Sequence, residues 1–223
     1  MFLYQENLQE GVWVPSAEQL RHIKARRLSK GDQLTLFDGQ GKVATVMIEN
    51  FSKKEVSCNI GAVTQHEHPN LPRLVLGVTK IPALEFILQK ATEIGVSEIV
   101  LLVCQYTPIA FDQQLFSKKE DRWRKIVLSA CEQSENVFVP GLRWMSFHDY
   151  LSYADNPIMF HPYADQACDI TSPMNGDLVI GPEGGFSEEE CNQLSTKVKL
   201  NTGVLRADTA AIAALLLYQM TKH

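Results

Sequence analysis

Three apolar residues, Leu178, Val179 and Ile180, run without a break into Gly181, Pro182, Glu183, Gly184 and Gly185. Just beyond them, Ser187 and Glu190 hold the spacing of a capping box. Strand, glycine turn and capped helix in immediate succession form the building unit of a parallel sheet, because a helix must carry the chain back before the next parallel strand can start. The same stretch has the make-up of a ligand loop. Missing side chains let backbone approach a small molecule, and the free N–H groups of a helix start favour a negative group. A tight strand-to-helix turn with no ligand has the same composition, so the loop by itself leaves both readings open.

The chain before and after this loop repeats the order. Residues 74–79 (LVLGVT) read as a buried strand, and Pro82 opens a helix over 83–94 that puts Leu84, Ile87, Leu88 and Ala91 on one face and stops at Gly95. Residues 98–103 are the second strand. Trp123, Ile126, Val127, Ala130, Cys131 and Ser134 mark one face of a longer helix from about 117, and Ile158, Met159 and Phe160 form a third strand that delivers His161 and Pro162 to a loop. Leu178, Val179 and Ile180 are the fourth. Residues 200–206 (LNTGVLR) read as a strand interrupted by Gly203, which could mark a tight crossing of two segments. Residues 210–220 read as an almost wholly apolar helix, too short to span a bilayer, so the monomer or a second subunit must cover it. Ligands of open parallel sheets bind at the carboxyl ends of the strands, which gathers His161, Gly181 to Gly185 and Leu205 with Arg206 around one crevice.

Residues 1 to about 68 follow a different pattern. Alternating runs at 33–37, 42–48 and 55–60, separated by turn signals at Asp38, Gly39 and Gly41, predict a small β-barrel. Between its strands, residues 17–30 predict a short helix bearing Arg21, Lys24, Arg26, Arg27 and Lys30. The first 70 residues hold 8 basic and 8 acidic side chains, so the net charge of −5 belongs to the remainder and the positive charge here is concentrated in one run. Such a run serves either as a solvated helix face or as a phosphate contact. Residues 66–73 (HEHPNLPR) have two prolines and no periodicity, and the domain boundary is placed there, giving domains 1–70 and 71–223. His66 and His68 lack further ligands at metal spacing and are assigned to the linker.

Several classes are set aside. A net charge of −5 gives no global attraction to nucleic acid, so an RNA partner needs a local basic patch. Five scattered cysteines without a C-x-x-C pair argue against a disulfide framework and a zinc ribbon, and no metal site is expected. With no long apolar run and no signal-peptide pattern, a cytoplasmic protein with no membrane partner is expected. Neither G-x-x-x-x-G-K-[ST] nor G-x-G-x-x-G nor G-x-S-x-G occurs, which removes the common phosphate loops and the hydrolase elbow. Residue chemistry alone therefore reaches a small-ligand α/β domain joined to a β domain with a basic patch.

Five segments carry a resemblance: LEFILQKATEIGV from Leu84, ACEQS from Ala130, His161 with Pro162, LVIGPEGGFSEEE from Leu178, and VLRADTAAIAAL from Val204. Together, and over nearly the whole chain, they resemble the 16S ribosomal RNA uridine N3-methyltransferases, members of the SPOUT (α/β knot) methyltransferase class. The resemblance implies an N-terminal PUA-like β-barrel that binds RNA and a C-terminal SPOUT parallel-sheet domain with a trefoil knot. It also implies S-adenosyl-L-methionine as methyl donor, a homodimer, and 16S rRNA or the small ribosomal subunit as partner in ribosome biogenesis. Alternatives are a SPOUT methyltransferase acting on a different RNA and a non-catalytic RNA-binding relative.

By the same resemblance, donor-binding residues are expected at His161, Gly181, Pro182, Glu183, Gly184, Gly185, Leu200, Val204, Leu205 and Arg206, and RNA contacts at Arg21, Lys24, Arg26 and Arg27. N3 of uracil carries a proton whose removal leaves an anion on the flanking carbonyl oxygens, so a base and a positive group are both useful. Arg206 is the candidate for the positive group, Asp208 for the base and Glu183 for positioning. Asp208 also reads as an N-cap of the last helix, and Glu183 as a residue that only fixes its loop. Two departures from the family stand out. Glu135-Asn136 follows ACEQS where Gly-Arg is common, and Arg206-Ala207-Asp208-Thr209 stands where Arg-Thr-Glu-Thr is usual.

Overall fold

The computed structural model describes residues 1–52, 56–108, 111–169 and 171–221. The chain forms two compact units, Met1–Pro69 with Cys131–Val139, and Asn70–Ala130 with Pro140–His223.

The first unit contains β1 (Phe2–Tyr4), β2 (Gly11–Trp13), α1 (Ala17–Ala25), β3 (Gln33–Phe37), β4 (Lys42–Phe51), β5 (Val56–Ile60) and β6 (Thr64–Gln65). Its mixed sheet runs β1-β3-β4-β5-β2 with β6 on β4, and β1 lies parallel to β3 while the other pairs are antiparallel. Alternation turns Leu34, Leu36, Val46, Ile48, Val56 and Cys58 into one core. Glu55, the expected start of β5, lies outside the described residues. The first two strands were not anticipated, since three residues are too few to display a period. Helix α1 starts at a capping box of Ser16 and Gln19 and stops at Ala25, short of the expected residue 30, because Arg27 turns the chain at φ 58°. His66 and His68 correct the linker reading. The His66 N–H donates to the Gly41 carbonyl at 2.8 Å, and the His68 ring packs 4.7 Å from that of Phe138.

The second unit contains β7 (Arg73–Gly77), α2 (Ile81–Ile94), β8 (Glu98–Val103), α3 (Gln113–Ser134), β9 (Gly141–Ser146) and α4 (Phe147–Tyr153). It continues with β10 (Ile158–Phe160), β11 (Leu178–Ile180), α5 (Glu188–Gln193), β12 (Thr196–Val198) and α6 (Ala207–Met220). Six parallel strands lie in the order β12-β10-β11-β7-β8-β9. The expected face of α2 (Leu84, Ile87, Leu88 and Ala91) is buried against this sheet's core, and Gly95 ends the helix at φ 107°.

Three expectations change. Strand β9 and helix α4 were missed, although Ser146 and Asp149 carry a cap signal, with the Asp149 N–H donating to Ser146 Oγ. The strand expected over 200–206 lies earlier, at Thr196–Val198. It pairs Ile158 with Thr196 and Phe160 with Val198, and its partner ends there with Pro162 close behind, which has no N–H to extend a ladder. Helix α6 buries Ala207, Ala211, Ala214, Leu215 and Tyr218, yet Leu216 and Met220 are exposed, so this unit covers only one side of it.

Helix α3 ends in a Schellman arrangement inside the first unit. Glu135 takes φ 59° and the Asn136 N–H reaches the Cys131 carbonyl at 3.0 Å. In the ACEQS segment, Glu132 accepts the Tyr4 backbone N–H at 3.0 Å. At the amino-terminal edge of the parallel sheet, the Asp177 carboxylate accepts the Tyr150 hydroxyl at 2.9 Å and meets Arg73 at 3.2 Å, and Glu98 pairs with Arg143 and Tyr153. A satisfied ionic network closes that edge; the carboxyl-terminal edge carries the cavity.

Candidate functional site

At the carboxyl ends of β10, β11 and β12, three loops enclose a cavity of about 550 Å³. His161, Pro162 and Tyr163 follow β10, Gly181 to Phe186 follow β11, and Leu200 with Thr202 to Arg206 follow β12. Phe160, Ile180, Ala207 and Ala210 supply apolar lining. His161, Gly181, Pro182, Glu183, Gly184, Gly185, Leu200, Val204, Leu205 and Arg206 all line this one space.

The glycine loop owes its shape to close contacts. A Cβ on Gly77, at the end of β7, would sit 2.7 Å from the Pro182 nitrogen and closer still to its Cδ, so the strand end and loop touch backbone to backbone. A Cβ on Gly184 would lie 2.9 Å from that of Tyr106, while Gly185 meets nothing and is required for its φ of 73°. The Gly185 N–H closes the turn on the Pro182 carbonyl at 2.9 Å. Gly203 corrects the expected tight crossing, since a side chain there would meet open space.

Behind the loop, Ser187 and Glu190 form the capping box. The buried Glu190 carboxylate accepts the Ser187 N–H at 2.9 Å and also the Gln105 N–H at 2.8 Å, tying the loop to the end of β8. Sequence spacing had revealed only the first of these bonds. The anion preference expected of this helix start is weakened: the capping box takes the Ser187 and Glu190 N–H groups, and Glu188, Glu189 and Glu190 put negative charge in the first turn. Apart from the His161, Tyr163, Glu183, Thr202 and Arg206 side chains, the cradle is main chain and apolar surface.

Glu183 is exposed at the rim, with Oε1 3.4 Å from the backbone N–H of Lys80. His161 accepts the Tyr163 N–H on Nδ1 at 3.3 Å, which leaves the ring proton on Nε2. Burial, with Lys197 nearby, holds the ring's pKa below the ordinary histidine value, so His161 is a neutral donor at neutral pH. Arg206 is exposed and occupies the N-cap position of α6, which corrects the N-cap reading of Asp208. Asp208 stands in the first turn of that helix, outside the cavity lining, and its carboxylate holds the Thr209 N–H at 2.6 Å and hydroxyl at 3.1 Å. Arg21, Lys24, Arg26 and Arg27 are exposed in the first unit, whereas the cavity is built wholly from the second.

Among the described residues, no group of three or more His, Cys, Asp or Glu side chains is placed to hold a metal ion, and no helix is long and apolar enough to cross a membrane. Lining residues missing from the expected donor-binding set are Phe160, Pro162, Tyr163, Ile180, Phe186, Thr202, Gly203, Ala207 and Ala210. A position one or two residues from a strand end or glycine turn was the available signal.

Residues 66–219 match the family model described as an RNA methyltransferase domain, and residues 15–61 match an RNA methyltransferase PUA domain. A ribosomal RNA small subunit methyltransferase E of Bacillus subtilis is 30% identical, covering 90% of this chain and 86% of that protein. A putative methyltransferase of Legionella pneumophila, solved with bound S-adenosylmethionine, superposes with a TM-score of 0.83 at 31% identity, over 98% of this chain and 96% of that one. A ribosomal RNA small subunit methyltransferase E of Neisseria gonorrhoeae, bound to S-adenosyl methionine, gives 0.83 at 28% identity with the same coverage.

Proposed function

The chain belongs to this RNA methyltransferase family, and we infer from that membership that it is an S-adenosylmethionine-dependent methyltransferase of small-subunit ribosomal RNA. The observation that carries the reading is the three-loop cavity at the carboxyl edge of the parallel sheet. Its volume of about 550 Å³ lies in the range of small-molecule sites, roughly 300–1,000 Å³. Its lining fits the donor: Phe160, Ile180 and Leu205 offer apolar surface to a nucleoside, and the main chain of Gly181 to Gly185 offers close-range hydrogen bonds. Two charged side chains line it, the Glu183 carboxylate and the Arg206 guanidinium, so it offers one group of each sign to a donor that carries both charges.

When bound, S-adenosylmethionine supplies an electrophilic methyl group. The proposed acceptor is N3 of a uridine in 16S rRNA, and the residues of this chain handle its proton and charge. The Arg206 guanidinium, exposed at the cavity, stabilises the negative charge left on the uracil carbonyl oxygens or holds a neighbouring phosphate. Asp208 and Glu183 are the carboxylates close in sequence or space to that point, as base and positioning group respectively. Holding donor and acceptor in line supplies much of the acceleration. Arg21, Lys24, Arg26 and Arg27 in the PUA-like unit form the phosphate-binding patch. The exposed side of α6 with Leu216 and Met220 is the homodimer face. A C-terminal trefoil knot and a cytoplasmic location complete the reading.

Transfer of labelled methyl to small-subunit RNA or the assembled subunit is the direct test, with nucleoside mapping of RNA from cells with and without the protein. Arg206→Ala is expected to lower turnover while donor binding persists in calorimetry. Donor binding without turnover on ribosomal RNA would assign another RNA, and no donor binding at all would leave only an RNA-binding role.

A further inference from the structure

The lining of the cavity divides into a buried floor and an exposed lip. Phe160, Ile180 and Ala207 are buried. Tyr163 and Val204 line the same space from two different loops yet are 78% and 68% exposed, two of the most exposed large apolar side chains among the described residues. An apolar ring left in water at a cavity mouth gives up the gain of burial, and it remains available to whatever arrives from solution.

The backbone beneath this ring is held firmly. Its own N–H donates to His161 Nδ1, and the next residue, Ala164, is buried and donates its N–H to the His161 carbonyl at 3.1 Å. His161 in turn donates its backbone N–H to the Val198 carbonyl at 2.8 Å, anchoring the turn to β12. The Tyr163 and His161 rings meet edge to face with centroids 6.0 Å apart, which leaves a tyrosine face toward solvent. A ring on a pinned turn has lost backbone freedom before any ligand arrives, so it serves as a platform.

We propose that Tyr163 is the stacking platform for the acceptor nucleobase, holding an unstacked pyrimidine of single-stranded RNA over the mouth of the methyl-donor cavity. This rests on the methyltransferase reading above. A buried donor uses the floor, whereas a base still joined to an RNA chain must enter at the lip, where Tyr163 stands. Enzymes that act on a base take it out of its stack and hold it against aromatic faces, and such stacking tolerates different bases because each has a π face.

The test uses the full-length protein and the variants Tyr163→Ala, Tyr163→Phe and Tyr163→Trp. Donor affinity is measured by calorimetry, and kcat and KM are measured for methylation of small-subunit RNA or the assembled subunit. Tyr163→Ala is expected to lower kcat/KM for RNA by roughly 5- to 150-fold, the span of base–aromatic stacking. Donor affinity should stay within about twofold, and Phe and Trp should restore RNA turnover because the platform needs a ring and not a hydroxyl. Equal loss of donor affinity in Tyr163→Ala would make Tyr163 a donor wall and overturn the proposal. Unchanged kcat/KM, or a Phe variant as impaired as Ala, would overturn it as well. These results leave the methyltransferase assignment standing, whereas a wild-type protein that neither binds donor nor methylates RNA removes both.

Discussion

Gly77→Ala tests the link between the sheet and the cavity. The new Cβ would sit 2.7 Å from the Pro182 nitrogen and closer to Pro182 Cδ, and both atoms are in a loop whose backbone is closed by its own hydrogen bond. Ordinary non-bonded separations begin at about 3.5 Å, so the loop must retreat by roughly 0.8 Å or β7 must bend. Neither is easy. Strand β7 is central, paired with both β11 and β8, and the loop is tied behind by Ser187 and Glu190. Overpacking of this kind costs about 1–3 kcal/mol, or roughly 2–12 °C in melting temperature for a protein of this size. A displaced Pro182 also shifts the main chain of Gly181 and Glu183 in the cavity wall, so donor affinity should fall about 10-fold or more, since small misplacements at a site carry large penalties. Thermal unfolding and calorimetric titration with S-adenosylmethionine read the two effects. Gly61→Ala, where the Cβ meets nothing and φ is unremarkable, is the control. Unchanged stability and donor affinity in Gly77→Ala would refute the close contact as the determinant of loop position.

Glu135 takes a left-handed φ of 59° where the resembled family carries glycine, so Glu135→Gly should stabilise the protein by up to about 1 kcal/mol in a urea titration. Asp177→Ala removes the acceptor for Tyr150, the Asp155 N–H and Arg73 in a buried place, and a loss of about 3–5 kcal/mol is expected by the same titration. Burial, with Asp177 beside it, pushes the Tyr150 phenol far above its ordinary pKa, so the folded state keeps a proton that the unfolded chain loses near pH 10. This contribution is complete below about pH 10 and is lost as pH rises beyond it, and Tyr150→Phe should flatten that alkaline slope in melting temperature. Burial likewise raises the Glu132 carboxyl against the opposing Tyr4 N–H. Glu132→Gln, which keeps an acceptor, should hold or raise the melting temperature, whereas Glu132→Ala strands that N–H at a cost of about 1–3 kcal/mol.

What the chain announced by itself was whatever depends on nearest neighbours. The face of α2, the alternation of β3 to β5, the capping box at Ser187 and the order of strands and helices after Leu74 are local patterns, because helix and strand periods repeat within a few residues. The three walls of the cavity followed from one rule about where ligands bind in parallel sheets.

Tertiary structure decided the rest, for a consistent reason: each of these features depends on what lies across a gap in sequence. Strand β12 stops at Val198 because its partner β10 stops at Phe160, which the LNTGVLR run could not show. His66 and His68 look like linker residues until Gly41 and Phe138 are placed beside them. Glycine is needed at 77 because of Pro182 and at 184 because of Tyr106, while Gly203, equally prominent in the sequence, has nothing near it. Nothing local distinguishes Asp208 from an N-cap or Tyr163 from any loop tyrosine. Where α6 begins settles the first, and the position of the turn after β10 at the mouth of a shared cavity gives the second its place.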